Sequence, residues 1–354
     1  MSRRFKRIAL PRARAARRLG AIGVAAQFGK AAVRLMTLAW PAAANPAEPG
    51  GVRGRVAEVR DFGSNPGELR MLVYQPRKPP AAGAPLILVL HGCRQDGAAF
   101  ATQAGWLALS ESLGIPLVMP EQAIANNRSR CFNWYRPDDV RRGQGEGMSI
   151  RQMVRHAIRR FGSSPRRVFI VGLSAGGAMA AAMLAAYPAV FAGGAVVAGM
   201  PVGSASTSPM ALLRMHRADP FRTRLGLVAS VRARTAPRGQ QPWPRLSIWQ
   251  GEKDRTVDPE NAEILATQWS ALHGCLEEPT SDTQPAEATR HRVWSRRGAA
   301  AVELWTIAGM GHGFPIGAGA GSAGPWVLDV GVPAARHIAA FWGLDGKAAT
   351  QAPA

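Results

Sequence analysis

One pentapeptide restricts what this chain can fold into more than any other stretch: Gly172-Leu173-Ser174-Ala175-Gly176. The apolar, β-branched run Val168-Phe169-Ile170-Val171 precedes it, and the alanine-rich run from Gly177 to Ala186 follows. These read as a strand and a helix, so strand, tight turn and helix meet at a serine. On such a turn the neighbouring backbones press so close that side chains two residues either side of the serine would clash, which accounts for both glycines. The helix behind the turn directs its positive N-terminal end to the place where an oxyanion would form. G-x-S-x-G by itself arises by chance in glycine-rich chains. Its flanking strand and helix mark Ser174 as a candidate nucleophile.

A serine hydroxyl attacks poorly without a base. In the α/β-hydrolase fold, which this turn implies, the chain order is Ser, then Asp or Glu, then His. Seven histidines are available. His91 and His156 precede the serine, His216 falls in an irregular stretch, and His273 and His291 lie in polar stretches ahead of the last strand. His337 sits in a terminal helical pattern. His312 follows the last strand in Gly309-Met310-Gly311-His312-Gly313, where flanking glycines let the ring reach back over the sheet, so His312 is the expected base. The acid is expected in Gly251-Glu252-Lys253-Asp254, with Asp254 favoured over Glu252 and Asp258. Asp258 precedes Pro259 and suits a cap for a helix from Glu260. The oxyanion needs two aimed N–H groups. They are expected from Ala175 and, in the loop His91-Gly92-Cys93-Arg94-Gln95, from Cys93. His91 then reads as a structural loop residue. No metal or cofactor is required.

The remaining pattern is α/β. Val56–Val59 and Leu69–Tyr74 read as an antiparallel pair turned at Asn65-Pro66-Gly67. Buried strands are expected over residues 86–90, 115–119, 168–171, 194–197, 246–249 and 302–307. Ile150, Met153, Val154, Ala157, Ile158 and Phe161 share one helical face, with Ser149 expected to cap the start and Gly162 the end. The expectation is a mostly parallel eight-stranded sheet with helices on both faces. A Pro-, Ser-, Arg- and Gly-rich insertion over 201–244 follows the sixth strand, as a lid or a surface excursion. The domain boundaries read as a basic segment 1–50, a catalytic domain 51–345 and a tail 346–354.

The net charge of +21 is unevenly spread: no acidic residue precedes Glu48, and ten Lys and Arg do. Phe28, Ala32, Leu35, Met36 and Ala39 share a helical face. Residues 1–50 therefore suit an anionic membrane or granule surface, a targeting segment or a disordered arm. The segment is a poor export signal, since Gln27 and Lys30 interrupt its apolar stretch. Basic residues are not interleaved with aromatics as in single-strand binders, which argues against nucleic acid. No run of eighteen apolar residues suggests a transmembrane helix. Cys93, Cys131 and Cys275 lack zinc-site spacing and allow either one disulfide plus a free thiol or three thiols.

His91-Gly92-Cys93, Cys131-Phe132-Asn133-Trp134-Tyr135, Gly172–Ala180, Gly309-Met310-Gly311-His312, Leu328-Asp329-Val330-Gly331 and Phe341-Trp342-Gly343-Leu344 together resemble the polyhydroxybutyrate depolymerase family of esterases, over about residues 53–344. The resemblance implies hydrolysis of hydroxyalkanoate polymers or oligomers, with feruloyl or acetyl esters of plant polysaccharides as the alternative. It implies Ser174, Asp254 and His312 as a triad, Cys93 as an oxyanion donor, and a Cys93–Cys131 disulfide that leaves Cys275 free. Many members are exported, which implies an extracellular or periplasmic location; the unclean signal leaves a cytoplasmic one open. Members that attack crystalline polymer append a linker and a binding domain. The ten residues after Leu344 hold neither, so soluble oligomers or amorphous granules are the expected substrate. Asn133, Trp134 and Tyr135 are expected to line the acyl site, with Trp134 in the core as the other reading. Gly317-Ala318-Gly319-Ala320-Gly321 is expected to be a mobile loop at its mouth. A contrasting reading is a surface-binding protein with an idle hydrolase domain. The sequence leaves oligomeric state open.

Overall fold

Leu86, Leu88 and Leu90 point into one hydrophobic core, and Ile87 and Val89 into another. A strand apolar at every position belongs in the middle of a sheet covered on both faces. The computed structural model describes residues 54–219, 221–235 and 242–345. The basic segment 1–50 and the tail 346–354 lie outside the described residues.

The strands are β1 (Arg55–Val59), β2 (Arg70–Gln75), β3 (Leu86–Leu90), β4 (Leu117–Glu121), β5 (Val168–Leu173), β6 (Gly193–Val197), β7 (Arg245–Gly251), β8 (Ser281–Ala286), β9 (Thr289–Arg296) and β10 (Ala299–Ile307). They form one ten-stranded sheet in the order β1-β2-β4-β3-β5-β6-β7-β10-β9-β8. β4, β3, β5, β6, β7 and β10 run parallel. β1, β2, β9 and β8 join antiparallel at the edges. Helices Gly145–Phe161, Ala175–Ala186 and Glu260–His273 cover one face, and Gly97–Gln103, Trp106–Leu113 and Ala334–Phe341 the other. This is the α/β-hydrolase architecture.

Three expectations are corrected. The sheet has ten strands rather than eight, because the β8–β9 hairpin was missed. β8 is exposed throughout and contains Pro285, and β9 is largely polar, so neither carries a hydrophobic period. The helix expected to start after Ser149 begins at Gly145. Ser149 lies inside it, its hydroxyl donating to the Gly145 carbonyl and accepting from the Gly67 N–H. The glycine-rich stretch 317–321 is docked: Ala320 is buried, and the Ser322 N–H beyond it donates to the Gln103 carbonyl. The strand expected over 115–119 runs two residues later, at Leu117–Glu121, and two caps stand where expected. Gly162 closes its helix at φ +62°, and the Asp258 carboxylate accepts the N–H of Glu260.

Candidate active site

Ser174 follows the carboxyl end of β5 and precedes the helix Ala175–Ala186, with φ +56° and ψ −118°. A non-glycine residue rarely holds such a conformation, and here the packing on both sides imposes it. A Cβ on Gly172 would lie 2.2 Å from the Gly176 carbonyl oxygen. A Cβ on Gly176 would lie 2.5 Å from the carbonyl oxygens of both Leu90 and His91. The Ser174 N–H donates to Val197 O at 2.8 Å, fastening the turn to β6. Ser174 remains partly exposed.

β7 and β10 are parallel neighbours, so the loops after them leave the same edge of the sheet. The Lys253 N–H donates to Met310 O at 2.9 Å and joins these loops. Asp254 lies on one and His312 on the other, with His312 Nδ1 2.7 Å from Asp254 Oδ2. Asp254 Oδ1 accepts the N–H groups of Thr256 and Val257 at 2.8 and 2.9 Å. Gln250 Nε2 donates to Oδ2 at 3.0 Å. Burial works to raise the Asp254 pKa. The hydrogen bond and charge of His312 and the two backbone N–H groups outweigh it and hold the carboxyl below its ordinary value. The His312 ring meets Trp326 edge-on at 5.4 Å. Phe314 N–H donates to Trp326 O as the short parallel pair β11 (Phe314–Ile316) and β12 (Val327–Asp329) begins.

The loop after β3 lies over the turn, as the Gly176 contacts with Leu90 and His91 require. In it, Gly92 N–H donates to Gln95 Oε1, Arg94 N–H to Ser129 O, and Gln95 N–H to Gly92 O. The Cys93 N–H has no such acceptor among the described residues. Ala175 opens its helix, where N–H groups lack intrahelical acceptors. Cys93 is disulfide-bonded to Cys131, and Cys275 is free and buried. His91 is fully buried; Nδ1 faces Gly92 O at 2.7 Å and Nε2 accepts from the Gln122 N–H at 3.1 Å. Burial lowers its pKa to about 4, so the ring is neutral and its Nδ1–H is the donor to Gly92 O.

Trp134 packs beside Ala178, Met200 and Val257, next to the turn and to the Asp254 loop. Tyr135 meets the Trp134 ring edge-on, and its hydroxyl accepts from Ser208 Oγ at 3.0 Å. Ser208 opens the helix Ser208–His216 of the insertion, whose Met215 packs on the same small cluster as Trp134. Asn133 is a correction. Instead of lining a cleft with these two rings it is buried, with its N–H and Nδ2 both on the Glu146 carboxylate and its Oδ1 accepting from Asn127. Sequence reasoning passed over Glu146 and Gln250. The signal for each was a polar side chain at a position the pattern buries, which must find a partner.

The pattern of the family described as esterase PHB depolymerase matches residues 69–294. The chain belongs to the PHB depolymerase family of esterases. Like the other members of this family, it is a hydrolase of carboxylic esters. It is 40% identical over 299 residues to poly(3-hydroxyalkanoate) depolymerase C of Paucimonas lemoignei, covering 82% of this chain and 70% of that one. It is 31% identical over 282 residues to an acetylxylan esterase of Coprinopsis cinerea, covering 77% and 73%. Among solved structures, an acetyl xylan esterase from Aspergillus awamori superposes with a TM-score of 0.71 at 22% identity, covering 82% of this chain and all (100%) of that one, and shares the fold.

Proposed function

We propose that this PHB depolymerase-family esterase hydrolyses poly(3-hydroxybutyrate) or its oligomers through Ser174, His312 and Asp254. His312 Nε2 takes the proton of Ser174 Oγ as that oxygen attacks the ester carbonyl carbon. The N–H groups of Cys93 and Ala175 hold the tetrahedral oxyanion. His312 returns the proton to the departing alcohol, leaving an acyl-Ser174 ester. Water, deprotonated by the same imidazole, attacks that ester and frees the acid. Asp254 accepts the Nδ1–H throughout and balances the imidazolium charge without taking the proton. Trp134, packed on Ala178 and Val257 with the Tyr135 ring against it, offers an apolar wall suited to a short aliphatic ester chain.

The observation that carries this reading is the 2.7 Å pair of His312 and buried Asp254 at the sheet edge where Ser174 sits on its strained turn. The polyester preference follows the depolymerase relative, at 40% identity. The 31% identity to an acetylxylan esterase favours a second reading, an esterase of acetylated or feruloylated polysaccharide. Parallel assays of 3-hydroxybutyrate oligomers, acetylated xylan and methyl ferulate decide between them. Oligomers turned over with the highest kcat/KM uphold the first, and preference for either carbohydrate ester replaces it.

A further inference from the structure

Glu146 carries a buried carboxylate for which the proposed reaction has no use. It lies in the first turn of the helix Gly145–Phe161 and points into the segment that follows β4. Its Oε1 accepts from Gln122 Nε2 at 2.6 Å and Asn133 Nδ2 at 2.7 Å, and its Oε2 accepts from the Asn133 N–H at 2.9 Å. All three partners are donors, so the ionised, acceptor-only carboxylate matches them.

We propose that Glu146 is a positioning residue for the ester site, holding the Gln122–Asn133 segment so that the Cys93 N–H and the Trp134 ring stand where the reaction needs them. This rests on the oxyanion role assigned to Cys93 above. Three connections lead from Glu146 to the site. Gln122 donates its backbone N–H to His91 Nε2, and His91 Nδ1–H donates to Gly92 O. That carbonyl and the Cys93 N–H belong to one planar peptide, so fixing the first aims the second. Gln122 Nε2 also donates to Cys131 O at 3.1 Å, and Cys131 is bonded to Cys93. Asn133, held at two points, immediately precedes Trp134. Around the carboxylate, Asp139 on the short helix Pro137–Val140 is the charged neighbour that acts on it, the Gln122 and Asn133 amides face it from the segment after β4, and neutral His91 lies one hydrogen bond beyond Gln122.

Glu146→Gln keeps the shape but turns at least one of the three bonds into a donor–donor contact. The test is steady-state hydrolysis of p-nitrophenyl butyrate by the full chain and by E146Q, Q122M and S174A. Inhibition by butylboronic acid, which forms a tetrahedral serine adduct, and active-site titration accompany it. For E146Q the expected kcat loss, per titrated site, is on the order of 10- to 100-fold with KM changed less than about twofold. Boronate affinity should weaken in step with kcat, a readout that a folding defect alone would not move. Q122M, which removes one donor and keeps the backbone bond to His91, should lower kcat in the same sense. A titrated kcat for E146Q within about twofold of the parent overturns the proposal. If E146Q does not fold, a parental kcat for Q122M overturns it instead. S174A keeps the two readings apart: an inactive S174A beside a parental E146Q sinks the positioning role alone, whereas an active S174A sinks the site itself.

Discussion

His312 Nδ1 and Asp254 Oδ2 stand 2.7 Å apart, and the same carboxylate also accepts two backbone N–H groups and the Gln250 amide. So many donors fix its orientation, and through it the imidazole tautomer. Asp254→Asn keeps the volume but can turn an NH2 toward Nδ1, favouring the tautomer whose Nε2 carries the proton and cannot accept one. The expected result is a fall in kcat on the order of 10³- to 10⁴-fold at nearly unchanged KM, measured with p-nitrophenyl butyrate.

Gly176→Ala tests the turn. The new Cβ meets two carbonyl oxygens at 2.5 Å, both backbone, so neither can swing aside. Denaturant unfolding should show a loss of roughly 2–4 kcal/mol, and the folded fraction should have lowered kcat because the loop carrying Cys93 is displaced from the serine.

Trp134→Ala opens the wall beside Ala178 and Val257. kcat/KM for a butyrate ester should fall on the order of tenfold, with the acetate ester affected less, since the lost contact is with methylenes that acetate lacks. Equal losses for both esters would remove Trp134 from the acyl site.

Glu146 also leaves a mark on stability. Burial first, then the charge of Asp139, raises its pKa from 4.5 to about 7 against the opposing hydrogen bonds of Asn133 and Gln122. Between those values the folded chain holds a proton that the unfolded chain has released, so stability falls as pH rises through that window. Unfolding free energies at about pH 5 and about pH 8 should differ less in E146Q than in the parent, because the amide does not titrate.

Much of this was legible in the sequence, for physical reasons that differ by residue. Ser174 was visible because its turn excludes side chains at Gly172 and Gly176, a steric demand written directly as glycine. His312 and Asp254 were visible because chain order in a parallel sheet dictates which loops share an edge. The β8–β9 hairpin was invisible because an exposed edge needs no apolar period. Asn133 was misplaced because a polar residue beside two aromatics reads as a lining residue. Only the fold reveals the buried acid, thirteen residues on in the chain, that claims its amide.

In the proposed reaction everything turns on Ser174 as the nucleophile. The direct measurement compares p-nitrophenyl butyrate turnover by the parent and by a folded, disulfide-intact Ser174→Ala protein. The expected result is a loss in kcat on the order of 10⁴- to 10⁶-fold. Turnover by the alanine variant at the parental rate would contradict the account.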